Sequence, residues 1–122
     1  MDGIENAIIK DVYVGYRRGC LTMTILTEGD GWLSSFGNTS LGSKFRWTEE
    51  INWAAWFICS ILDTVDVNSV EDLIKKPIRI KIKDGGIVAI GHFLKDVWFC
   101  PEEEIKSIEI KNQNNNEQRK SK

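Results

Sequence analysis

The chain has 122 residues, 42% hydrophobic and 28% charged, with five tryptophans and five phenylalanines, which predicts one domain around one core. A formal net charge of -2, with no long basic stripe ahead of the tail, excludes the phosphate-neutralising footprint of a duplex-binding protein. No apolar run approaches the roughly 18 residues that span a bilayer, and an odd set of cysteines (Cys20, Cys59, Cys100) without CxxC spacing or a signal peptide predicts reduced thiols in a cytosol.

From Asn6 to Tyr16 the apolar residues Ile8, Val12, Val14 and Tyr16 fall at even positions, interrupted by Ile9 and Tyr13, which predicts a half-buried strand with a local irregularity. Arg17, Arg18 and Gly19 make the turn. Leu21, Met23 and Ile25 then alternate with Thr22 and Thr24, so this run pairs back as an antiparallel hairpin. Glu28-Gly29-Asp30-Gly31 is a loop, and Trp32 to Phe36 a short strand ending at Gly37-Asn38.

Thr48 followed by Glu49 and Glu50 opens a helix that runs to about Asp63. Its stripe of Ile51, Ala54, Ala55, Ile58 and Leu62, widened by Trp53, Trp56, Phe57 and Ile61, leaves little polar face. The helix is therefore expected to be buried on more than one side, and a homodimer or larger assembly follows. Ser69 and Asp72 open a short second helix that Pro77 ends. Ile78, Ile80 and Ile82 alternate with Arg79, Lys81 and Lys83 as a strand. Asp84-Gly85-Gly86 turns the chain, and Ile87 to Leu94 returns, with Gly91 expected at a bulge or beside another backbone. Glu102 to Ile110 adds a helical turn or an edge strand. The predicted fold is α+β: an antiparallel sheet built from two hairpins, packed on one long helix, with a short second helix. Residues 1–111 form a single ligand-binding domain and 112–122 a disordered polar tail.

His92 is the sole histidine, flanked by Gly91 and Phe93 on a strand, and reads as a structural or ligand-contacting residue rather than a general base. One histidine and three scattered cysteines offer no metal-ligand spacing, and the carboxylates at Glu49-Glu50 and Glu102-Glu103-Glu104 are explained by capping and solvation. No catalytic residue, metal or cofactor is predicted. The Gly29 and Gly31 loop is by itself a tight turn. Its neighbours Trp32, Phe36, Asn38, Thr39, Ser40, Phe45, Arg46 and Trp47 add stacking surfaces, amide and hydroxyl groups, and a guanidinium suited to phosphate. Lys95 and Asp96 make a polar bend, with His92 or Lys95 as the alternative rim of a pocket.

These residues carry a resemblance. Gly19-Cys20-Leu21-Thr22, then Glu28 to Trp32 with Phe36-Gly37, and finally Ala89-Ile90-Gly91-His92-Phe93-Leu94-Lys95-Asp96-Val97-Trp98-Phe99-Cys100-Pro101 resemble a widespread group of small phage and prophage proteins. The pattern covers nearly the whole chain apart from the tail and is similar to the Thoeris anti-defence sponge family. Members of that family bind the cyclic ADP-ribose isomers made by bacterial TIR enzymes and withhold them from the effector. Related loops carry Phe-Gly-Gly-Tyr where this chain has Phe36-Gly37-Asn38-Thr39, so the stacking tyrosine needs a substitute, for which Phe45 and Trp47 stand as options.

The resemblance implies capture without hydrolysis in the host bacterial cytosol, in a pocket shared across a dimer, with a cyclic nucleotide as ligand and neither nucleic acid nor membrane as partner. Arg17, Arg18 and Arg46 would hold phosphates; Trp32, Phe36 and Trp47 would stack; Asn38, Thr39 and Asp96 would serve hydroxyls or base edges. Gly29, Gly31, Gly37 and His92 complete the expected site. Two rivals stand beside this reading: a protein-directed inhibitor that docks on a host defence protein through its aromatic surface, and a small hydrolase acting on the same nucleotides.

Overall fold

The computed structural model describes residues 2–43 and 53–104. Six strands, β1 (Gly3–Arg17), β2 (Cys20–Gly29), β3 (Trp32–Ser43), β4 (Pro77–Lys83), β5 (Gly86–His92) and β6 (Trp98–Phe99), form one antiparallel sheet in the order β3-β2-β1-β4-β5-β6. Helix α1 (Trp53–Val65) and a 3₁₀ turn (Glu71–Leu73) lie between β3 and β4. The α+β class and the antiparallel sheet are as expected, but the finer layout differs. The sheet dominates, a three-stranded meander replaces the first hairpin, and the one long helix as platform is corrected to a 13-residue helix set against a larger sheet. The predicted helix start at Thr48 and the 112–122 tail lie outside the described residues.

β1 organises the sheet because its two halves serve different neighbours: Gly3 to Ile8 pairs with β4, and Ile8 to Arg17 pairs with β2. Between them the register shifts at Ile9/Asp11, where one extra residue forms a bulge. The bulge explains the interrupted alternation. Ala7 and Ile9 are buried before it and Val12 is half-buried after it, while Ile8 is turned outward. Both long hairpins with strict turns use two positive φ angles in succession, Arg18 (52°) with Gly19 (79°) and Asp84 (52°) with Gly85 (81°), the twist that matches a right-handed ribbon.

α1 buries Phe57, Ile61 and Val65, spaced four apart, and leaves Ala55, Cys59 and Asp63 exposed on its other side. Phe57 stacks on Phe36 at 6.0 Å between centroids and meets Phe99 edge-on at 5.3 Å, so helix, β3 and β6 share one aromatic centre. The apolar floor beneath is Ile9, Met23, Ile25, Ile78, Ile80 and Ile90. The 3₁₀ turn is held where Asp72 N–H donates to Ser69 Oγ at 3.3 Å, and it ends before Pro77, which opens β4. After β6 the chain makes one helical turn, in which Glu104 N–H donates to Cys100 O and Glu104 accepts from Trp56 Nε1–H at 3.2 Å. Among the described residues no helix is long and apolar enough to cross a membrane.

Gly37 lies at the second register shift, between the Met23–Thr39 and Thr24–Gly37 pairs, with φ at +94°. A Cβ there would overlap the Met23 carbonyl oxygen, which is backbone and cannot swing aside. Gly37→Ala is expected to destabilise the fold by about 2–4 kcal/mol, combining a positive-φ penalty with the overlap. A urea midpoint within experimental error of the parent would show that the bulge can relax.

Candidate functional site

The strongest structural unit among the sequence-predicted residues is the segment from His92 to Trp98. His92 ends β5 opposite Ile78, and its backbone N–H donates to Val97 O at 2.9 Å. Its imidazole Nδ1 accepts two backbone N–H groups, from Leu94 at 3.0 Å and Lys95 at 2.9 Å, so the side chain closes the bend like a cap. Arg79, arriving from β4, donates through Nε to His92 O at 2.8 Å and through Nη2 to Lys95 O at 2.7 Å. Its guanidinium also lies 4.8 Å from the centre of the Trp98 ring system, and Lys81 Nζ lies 4.3 Å from it. Trp98 Nε1–H donates to Asp96 Oδ1 at 2.9 Å, and Lys95 Nζ reaches Asp66 beyond α1 at 3.7 Å. The bend is thus tied at its base, at its middle and to the helix.

Gly91 serves this unit in a way the sequence did not reveal. It is neither a bulge nor a close backbone contact: a Cβ on it would stand 2.5 Å from Trp98 Cε3, so the glycine is a floor for the indole. The same device recurs. A Cβ on Gly29 would overlap the Trp32 indole, its cross-strand partner, and one on Gly15 would stand 2.8 Å from the Tyr13 hydroxyl oxygen. Gly31, at φ +78°, is required by the β2–β3 turn itself.

The remaining predicted residues are distributed unevenly. Arg17 stacks 4.5 Å over Tyr13, whose hydroxyl donates to Tyr16 O at 3.0 Å, and Arg18 is exposed in the β1–β2 turn. That turn and the Gly29–Trp32 turn lie at opposite ends of the ten-residue β2, about 30 Å apart at the usual rise per residue. Arg17 and Arg18 of one chain therefore do not meet Gly29, Gly31 and Trp32 of the same chain. The sheet curls so that β3 approaches β5, and the β2–β3 turn then falls at the same level of the ladder as His92. Phe36 is buried in the aromatic centre, with Gly37 beside it. Asn38 and Thr39 belong to β3, their side chains outside the described set; Arg46 and Trp47 lie outside the described residues.

Sequence reasoning missed Arg79, Lys81 and Trp98. The signal is present, since Arg79 and Lys81 alternate with isoleucines and Trp98 follows a glycine-containing strand, but the alternation by itself declares only a strand. Cys20, Cys59 and Cys100 are free thiols, and among the described residues no three histidine, cysteine or acidic side chains gather as a metal site. No protein-family model matches the chain, and no curated protein or solved structure is significantly similar to it.

Proposed function

We propose that this protein binds and sequesters a cyclic ADP-ribose-type signalling nucleotide without hydrolysing it, and so blocks TIR-based Thoeris immunity in the cytosol of a phage-infected bacterium. The observation that carries the reading is the pre-fixed His92–Trp98 bend, because it lies within the longest of the motifs on which the family resemblance rests. A bend already tied by Arg79, His92 and Asp96 loses little freedom on binding, which favours tight capture. In this reading Trp32 and the Asp96 bend supply a stacking surface and a hydrogen-bonding edge. The guanidiniums of Arg17 and Arg18 reach the pocket only from a second copy, so the pocket is shared across a homodimer. The ligand needs no general base, only donors for its pyrophosphate and partners for its ribose hydroxyls.

Calorimetric titration with a linkage isomer of cyclic ADP-ribose, followed by heat release and chromatography of the bound material, tests the proposal. Binding with the ligand recovered unaltered is expected. Altered ligand would make the protein an enzyme, and absence of binding to any isomer would favour the second reading, a protein-directed inhibitor. That alternative has its own observation: the same rigid bend holds Leu94 82% exposed, with Phe93 and Val97 also exposed, as apolar anchors for a host protein would be.

A further inference from the structure

We propose that His92 is a proton-operated latch: the bend from His92 to Trp98 is closed while the imidazole is neutral and opens when the ring takes up a proton. The geometry fixes which nitrogen matters. Nδ1 accepts from two backbone N–H groups, Leu94 at 3.0 Å and Lys95 at 2.9 Å. A ring nitrogen accepts only while it carries no hydrogen, so the closed bend requires the neutral ring with its proton on Nε2. A second proton, added at Nδ1, turns this acceptor into a donor and sets it against two amides that also donate. Both bonds are then lost together. His92 is half-buried, so solvent protons reach it while the domain stays folded.

The charges around the bend reinforce the effect. β4 brings Arg79, which donates to His92 O at 2.8 Å and to Lys95 O at 2.7 Å, and Lys81, which lies over Trp98. Both are cations. Lys95, in the bend itself, pairs with Asp66 from beyond α1 at 3.7 Å, and Asp96 accepts from Trp98 Nε1–H. β6 contributes no charged residue. Among the described residues no carboxylate bonds either ring nitrogen, so an imidazolium here has no counter-ion in contact and an arginine beside it. Closure is therefore complete above the range in which an imidazole titrates and is lost as the pH falls through that range. The latch concerns the bend alone. On the reading above, opening also releases nucleotide, but a protein that binds no nucleotide leaves the latch standing.

Nitrogen-15 NMR of the full chain, with no ligand present, tests the first step: at about pH 8 the His92 ring is expected with its proton on Nε2. Hydrogen exchange tests the second. Protection of the Leu94 and Lys95 amides, corrected for the intrinsic exchange rate, should fall about tenfold between about pH 8 and about pH 5, while the amides of α1 keep theirs. His92→Asn puts a carboxamide oxygen where Nδ1 stands, an acceptor that does not titrate, and should hold the protection constant over the same range. Asp66 and Asp96 remain in that variant, so a fall caused by those carboxylates would persist in it. His92→Leu removes the acceptor and should show the low protection at both pH values. A neutral ring with its proton on Nδ1, parent protection that does not change with pH, or an asparagine variant that loses protection as the parent does would each overturn the proposal.

Discussion

Replacing Phe57 with alanine is expected to lower the free energy of unfolding by about 4 kcal/mol, which for a domain of this size moves the thermal midpoint by roughly 15 °C. The ring is almost wholly buried and touches aromatic neighbours on several sides: Phe36 stacked at 6.0 Å, Phe99 edge-on at 5.3 Å and Trp56 at 6.2 Å. Those neighbours come from β3, β6 and α1 itself, so the void left by alanine cannot close by moving one element. Phe57→Leu, which keeps most of the volume, should lose only about 1–1.5 kcal/mol. Urea unfolding followed by tryptophan fluorescence gives both numbers. A loss below about 1 kcal/mol for the alanine variant would mean that α1 is not seated on the sheet through this ring.

The features legible in the sequence are those that depend on neighbours along the chain. Asp84-Gly85 declares a hairpin turn because both residues tolerate positive φ, Arg18-Gly19 does so through its glycine alone, and Ile78, Ile80 and Ile82 declare a half-buried strand by period alone. Parity failed in β1 for a physical reason. One inserted residue at the bulge flips every side chain beyond it, so Val12 faces the same side as Ile9 although the two differ in parity, and Ile8 is left outside. The candidate site was legible in residue type but not in arrangement. Gly29 and Gly91 are seats for the Trp32 and Trp98 indoles, and which ring covers each of these glycines follows from cross-strand register. Phe36 illustrates the same limit: nothing local distinguishes it from Trp32, yet one fills the core with Phe57 and Phe99 while the other lies over Gly29 at a turn.

Arg79 is where stability and the proposed function meet. Arg79→Met keeps the apolar stem over Trp98 but leaves the carbonyl oxygens of His92 and Lys95 without their guanidinium donors. Water can reach the outer of these two bonds, so only part of the charge-assisted energy is lost, about 2 kcal/mol. That corresponds to roughly 30-fold faster hydrogen exchange at the amides of Leu94, Lys95 and Val97, the three that close the bend. If the bend is the nucleotide edge, affinity should fall about tenfold or more in the same variant, because the ligand must then order the segment itself. Arg79→Lys separates the two contributions of the side chain. Lysine keeps the charge but has no planar fork to span both carbonyl groups, so it is expected to behave like methionine rather than like arginine. A lysine variant with the parent's exchange rates would assign the role to charge alone; faster exchange with unchanged nucleotide affinity would take the bend out of the binding site and leave it as a structural clasp.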